Sequence, residues 1–457
     1  MNENPLGSVE VGKLIRKFAM PSVVGMLVTS IYNIVDQLFI GQAVGQLGNA
    51  ATNVAFPLTF LTVALALLFG IGGAANFNLS MGQQKKEEAP YFIGNAFMLL
   101  LLSGIILLVI SRMFLHPMLI AFGSPDEVLP YADTYVAVTS IGFPFVLVTV
   151  GGGHLIRADG SPTKAMLFNL SGAIINIFLD YLLTMVFKCG IAGAAWATVI
   201  GQIFSAFLVI KYMMRYKTVK LGMKNFLIKW QYAKRIMMLG MSSCVNQIAM
   251  MAVQIVSNNL LKKYGELSIY GSSIPIACAG IVMKINQVVF SIVIGISQGC
   301  QPIFSFNYGA QRYDRVRKTF KLALTAGIIV SAIAFAVIQL FPQYIFAAFG
   351  NGSEEYFEYG VLYLRVFLMF VILAAMQPVT NTFFSAIGKP AKGMTIALLK
   401  QIIVMLPAML ILTPIVGVNG VMYSGPIADF VAGVFAIIMV VLEFRNMKKL
   451  ERRLDRH

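Results

Sequence analysis

Charge is what this sequence has least of. Only 12% of its 457 residues are Asp, Glu, Lys or Arg, where a soluble domain carries roughly a quarter. Hydrophobic residues make up 58%, and the mean hydropathy is +0.79. A disordered chain is excluded, because disorder needs low hydrophobicity. A soluble enzyme is nearly excluded, because this much apolar surface has nowhere to hide in water. Cysteine is scarce. Cys189, Cys244, Cys278 and Cys300 show no paired or metal-like spacing, so free thiols in membrane helices are expected. Histidine is scarcer: His116, His154 and His457 are scattered, two of them near predicted helix ends, which suits surface or capping roles better than metal binding. The motifs G-x-x-x-x-G-K-[ST] and H-E-x-x-H are absent, so neither a nucleotide-driven motor nor a zinc hydrolase is indicated. No base and nucleophile assemble at membrane depth, so no enzyme is expected. If the chain is a transporter, its energy comes from an ion gradient. A cleavable leader is not expected, since the polar start runs into an apolar stretch too long for one.

What is present is a series of apolar runs. A membrane helix needs ~20 such residues. Twelve segments qualify: 14–40, 48–81, 89–113, 130–156, 163–187, 190–214, 233–262, 271–306, 315–341, 357–387, 392–413 and 417–444. The first, second, eighth and tenth are over-long, so tilt, kinks or projection beyond the bilayer are expected there. The fold class is therefore an all-α polytopic membrane protein.

The formal charge of +16 suggests nucleic acid until its placement is read. With the N-terminus inside, 29 of the 35 Lys and Arg fall on inner regions, five on outer ones, and Lys284 lies inside a span. That is the positive-inside pattern. It places both termini in the cytoplasm, and no nucleic-acid partner is expected.

The chain also repeats itself. Gly82 recurs at Gly309, and Phe122-Gly123 recurs at Phe349-Gly350. Gly160-x-Pro162-x-Lys164-x-Met166 recurs at Gly388-x-Pro390-x-Lys392-x-Met394, and Gly190-x-x-Gly193 at Gly417-x-x-Gly420. Every offset is 227 or 228. Each half holds six spans, an even number, so the pseudo-two-fold axis runs along the membrane normal. The halves are residues 1–214 and 233–457, joined by a basic cytoplasmic linker, 215–232, in which Leu221–Trp230 is a candidate interfacial helix.

Charges at membrane depth are costly and usually functional. They are Asp36, Asp180, Lys284 and Asp429. Asn176 and Asp180 are one turn apart and share a helix face, as do Ala194 and Thr198. At 1.5 Å per residue, Asp36, Asp180 and Thr198 lie roughly 7, 10 and 12 Å from the outer ends of their helices. Two carboxylates, an amide and a hydroxyl at one depth make an all-oxygen site for a small cation or a shared proton. Lys284 either meets an anionic group or snorkels. Asp429 has no evident partner and reads as a helix–helix contact. Met251, among the methionine clusters, with Gln247, Asn286, Gln287, Gln377 and Asn381 of the second half, would line an adaptable substrate cavity with Lys284.

With these residues in hand, the chain resembles the multidrug and toxic compound extrusion (MATE) family over nearly its whole length. Pro21 with Asp36-x-x-Phe-Ile-Gly41 resembles the family's first helix, and Gly70-x-Gly72 through Gly82 its second. Arg157-Ala-Asp-Gly-x-Pro162 resembles the inner loop before the fifth helix. Gln301-Pro302 through Asn307-Tyr-Gly309 resembles the matching segment of the second half. The pattern is closest to bacterial MepA-like or DinF-like members. The resemblance implies a V-shaped pair of six-helix bundles with a central cavity, in the inner (cytoplasmic) membrane of a bacterium. It implies a monomer that exports small organic, often cationic or amphipathic, compounds in exchange for Na⁺ or H⁺, with no other cofactor. It implies coupling at Asp36, Asn176, Asp180 and Thr198, with a backbone carbonyl near Ala194, the same four side chains serving as ligands if the ion is Na⁺. Another branch places acidic cation ligands on the seventh and tenth helices; here the seventh segment has no acid and the tenth only Glu358, at its start. The alternative is a flippase for lipid-linked sugars. That would want more cavity cations than Lys284 alone, to hold a pyrophosphate.

Overall fold

The computed structural model describes residues 4–122, 124, 126–271, 273–347 and 354–454. Gly123, Phe349, Gly350 and His457 lie outside these. All regular structure among the described residues is helical. The spans are α1 (Val11–Val44), α2 (Gln46–Gly82), α3 (Ala89–Met113), α4 (Leu129–Ala158), α5 (Pro162–Val186) and α6 (Gly190–Met213), then α7 (Trp230–Glu266), α8 (Ser273–Gly309), α9 (Tyr313–Leu340), α10, α11 (Pro390–Val416) and α12 (Asn419–Leu454). Span α10 is two rods, Glu354–Phe367 and Val371–Ala386, meeting at 50°. Counted as one span, it gives the expected twelve. Helices α7 and α12 are longer than their apolar runs, at 37 and 36 residues, because their polar ends stay helical beyond the hydrophobic stretch.

The repeat is written into the backbone. Left-handed φ values occur at Gly45 and Gly271, Gln84 and Gln311, Gly160 and Gly388, and Gly190 and Gly417, each pair 226 to 228 residues apart. These turns close helices where L-residues resist that conformation; the two glutamines adopt it despite their side chains. Both halves also widen one helix to i→i+5 bonding, at Tyr181–Val186 in α5 and Leu399–Met405 in α11.

The two lobes meet along one end of the molecule, the end bearing the α2–α3, α4–α5 and α8–α9 turns. Helix α1 lies against α8 and α2 against α7, through glycines that let backbones touch. A Cβ on Gly240 would stand 1.8 Å from the Leu68 carbonyl oxygen, and one on Gly295 2.5 Å from Val23 Cα. Polar side chains cross the same seam. Gln301 donates to the Ile71 carbonyl at 3.2 Å, Arg157 to Gln298 at 3.2 Å and Asn76 to the Arg235 carbonyl at 3.0 Å. His154, expected at a surface, is buried here with Nδ1 3.2 Å from Gln301 Oε1. A one-turn helix, Pro5–Ser8, is clipped to the other lobe by Asn307, which reaches the Leu6 carbonyl, and Arg312, which reaches that of Gly7.

The linker is not an interfacial helix over its length. Only Met223–Phe226 is helical, and Trp230 already belongs to α7. Asn95, fully buried on α3, explains this. Its amide donates to the carbonyls of Asn225 and Leu227 and accepts from the Lys229 N–H, which holds the chain extended. Upstream, buried Asp159 accepts from the Tyr212 hydroxyl, the Thr218 hydroxyl and the backbone N–H groups of Lys217 and Thr218. In the second lobe the equivalent turn is held by buried Glu443, paired with Lys389 and Lys392. Of the four cysteines, Cys244, Cys278 and Cys300 are buried in helices, while Cys189 is exposed in the α5–α6 turn.

Candidate functional site

Asp36 stands on the half of α1 away from the seam, and Asp180 ends the regular part of α5. They are far apart in sequence, yet the fold sets their carboxyl groups side by side. Asp180 is fully buried and Asn176 nearly so. Neither oxygen of Asp180 has a hydrogen-bond partner, and neither do Oδ1 of Asp36 and Oδ1 of Asn176. Four buried acceptor atoms without donors are costly unless something positive joins them. The neighbouring groups are already committed. Asn176 Nδ2 donates to Thr198 Oγ1 at 3.3 Å, and that hydroxyl donates to the Ala194 carbonyl at 3.1 Å. The relay ties α5 to α6 and fixes the Asn176 amide. Ala194 is fully buried, and its carbonyl is one more oxygen at the same level.

All five residues expected at the coupling site therefore belong to one neighbourhood. Its donors are oxygens, and only two are carboxylates. Among the described residues no group of three or more His, Cys, Asp or Glu could hold a metal. Such a set fits a monovalent hard cation or a proton better than a divalent one.

Two members were missed in the sequence. Tyr32, one turn before Asp36, and Tyr135 on α4 both lie within electrostatic reach of Asp36 and Asp180. The i,i+4 spacing of Tyr32 and Asp36 was a usable signal; for Tyr135 there was none. The widened turns of α5 begin at Tyr181, directly after Asp180, a kind of irregularity common at functional positions.

The seven candidate cavity residues are more scattered. Gln247 and Met251 on α7 are half-buried, as are Lys284 and Asn286 on α8, whereas Gln287 is exposed. Gln377 and Asn381 on α10 are buried, and the Asn381 amide oxygen accepts from Ser242 of α7. Asn381 is thus turned into its own lobe. Oδ1 of Asn286 is buried without a partner.

Asp429 of α12 does make a contact between helices, but with a partner the sequence did not show: Lys400 of α11, whose Nζ lies 2.7 Å from its Oδ1. The inner-side count of Lys and Arg includes Lys400, although position 400 falls within the apolar segment 392–413. Lys400 lies within the widened turns of α11, about ten residues into a span, so Lys284 is not the single in-span cation.

A model of the family described as MatE matches residues 21–182 and 242–411, a segment of each half. A multidrug export protein MepA of Staphylococcus haemolyticus is 24% identical over 441 residues, covering 96% of this chain and 95% of that one. Its namesake in Staphylococcus aureus is 23% identical over 433 residues, covering 94% of each. Among solved structures, an outward-facing multidrug resistance MATE family transporter of the MOP superfamily superposes with a TM-score of 0.90 at 20% identity, over 98% of this chain and 99% of that one. A MATE crystal structure in the straight conformation gives 0.89 at 20% identity, over 97% and 98%. At that identity the structural likeness speaks for the fold.

Proposed function

This chain belongs to the MatE family, and on that premise we propose that it is a secondary active multidrug exporter in the inner membrane of a bacterium. It exchanges organic, often cationic, compounds for Na⁺ or H⁺. The observation that carries the reading is the pair Asp36 and Asp180: adjacent carboxyls whose buried oxygens have no donors.

Two adjacent carboxylates out of water cannot both stay charged without a counter-charge. A proton shared between them, or a cation held by Asp36, Asp180, Asn176, Thr198 and the Ala194 carbonyl, supplies it. Loading draws α1 toward α5 and α6 and narrows the first-lobe cavity. Drug binding and ion loading are mutually unfavourable, so each displaces the other, and the two lobes rock between access states. An ion that bound both states equally would drive nothing. The seam, with its buried Gln301, Arg157 and Asn76 contacts, is the closed end of the outward-open state. The flippase reading gains nothing from Lys400, since Asp429 neutralises it.

The test is dye efflux from vesicles under an imposed Na⁺ gradient and, separately, an imposed pH gradient. One gradient should drive efflux of a cationic dye. Efflux that needs neither, or that persists in both Asp36→Asn and Asp180→Asn, overturns the reading.

A further inference from the structure

Helices α11 and α12 are the repeat-mates of α5 and α6, which carry most of the coupling site. At the repeat offsets, Lys400 takes the place of Gly172, and Asp429 that of Gln202. In the first lobe the α5–α6 crossing leaves no room for a side chain at that position: a Cβ on Gly172 would stand 2.0 Å from the Ser205 hydroxyl oxygen and 2.7 Å from the Gly201 carbonyl oxygen. Packing therefore does not need a lysine there. In the second lobe, Lys400 projects from the widened turns of α11. It sits between the Asp429 carboxylate, at 2.7 Å, and the Phe290 ring of α8, whose centre is 5.9 Å from Nζ. The two charged side chains keep 13% and 10% exposure. Asp429 is buried, and Lys400 is the cation that pairs with it.

A carboxylate and an aromatic face around an ammonium are the elements by which proteins recognise organic cations. We propose that Asp429 and Phe290 form an ammonium-binding subsite of the second lobe, occupied here by Lys400 as a tethered cation that the ammonium of an organic cation displaces. The exchange leaves the net charge at Asp429 unchanged. The lysine thus keeps a buried acid paired when no substrate is present, where an unpaired one would be costly. The subsite rests on the exporter reading only for the identity of its ligand.

The experiment measures ethidium affinity on purified protein. Lys400→Met removes the competitor and should tighten binding by about tenfold, as expected when a binding-competent state no longer has to be freed. Asp429→Asn should weaken it about as much, and the double variant should follow Asp429→Asn. A second measurement needs no dye: butylammonium should raise the melting temperature of Lys400→Ala, and should not do so in Lys400→Ala with Asp429→Asn. Unchanged or weaker ethidium binding by folded Lys400→Met overturns the subsite even where the wild-type chain exports dye. A butylammonium response that ignores Asp429 overturns it as well. An Asp429-dependent response supports it even if efflux fails.

Discussion

Gly82 and Gly309 hold the same place in the two halves and lie against one another. A Cβ on Gly82 would stand 2.2 Å from the Phe306 carbonyl oxygen, and one on Gly309 2.3 Å from that of Leu79. The repeat-mates α2 and α8 thus cross close to the axis that relates the lobes, backbone to backbone. Neither carbonyl can swing aside as a side chain would. Gly82→Ala and Gly309→Ala should each destabilise the protein by about 1–3 kcal/mol, read as a lower melting temperature in detergent. Melting unchanged in both would mean the helices do not touch there.

Asp36→Asn and Asp180→Asn should each bring ion-driven dye export to background while the protein still reaches the membrane. Asn176→Ala and Thr198→Ala break the relay to the Ala194 carbonyl and should reduce export without abolishing it. Resistance of cells lacking their own exporters, set against membrane abundance, separates these outcomes.

Tyr32→Phe and Tyr135→Phe remove hydroxyls from beside the two acids and keep the rings. The two hydroxyls are polar groups within electrostatic reach of both acids, so each substitution should shift the ion concentration for half-maximal exchange. No shift in either variant would place the tyrosines outside the site.

Asp159→Ala leaves two N–H groups and two hydroxyls of the linker region without their shared acceptor. Trypsin should then cut at Lys217 and Lys220 much faster than in the wild-type chain. Tyr216, which donates to the Leu155 carbonyl at 2.9 Å, is pushed well above the usual tyrosine range by burial and by Asp159 beside it. A raised folded-state value stabilises fully below the unfolded value of about 10 and is lost as pH rises through the folded one. Protease resistance of the wild-type linker should therefore be flat across neutral pH and fall only in strong alkali.

The spans and the repeat were legible because they are local or periodic: apolar runs, glycines at one offset, lysines on alternate sides. That Asp36, Asn176, Asp180 and Thr198 would share one neighbourhood was legible because depth and helix face follow from chain position. What failed was contact across the fold. Lys400 was counted with the inner-side lysines although it falls within the segment 392–413, and its partner there, Asp429 of α12, shows only in the fold. His154 reads as a capping residue because its partner, Gln301, lies on another lobe. Tyr135 looks like any interfacial tyrosine until the fold brings it within electrostatic reach of Asp36 and Asp180. The linker's apolar and basic residues suggest a surface helix, and only Asn95, a polar residue within an apolar run, marks what holds it extended.

That hold fixes where the molecule can lever. The chain up to Lys229 is pinned to α3, and the base of α7 is pinned there too, with Tyr232 stacked on Tyr91 at 5.0 Å and Arg235 facing Glu88 at 3.4 Å. At 1.5 Å per residue, α7 is an arm of about 55 Å with its fulcrum at one end. Each degree of tilt at that base sweeps the far tip, near Glu266, through about 1 Å. The stacked rings at the base therefore set the position of the far tip more sensitively than any contact nearer to it.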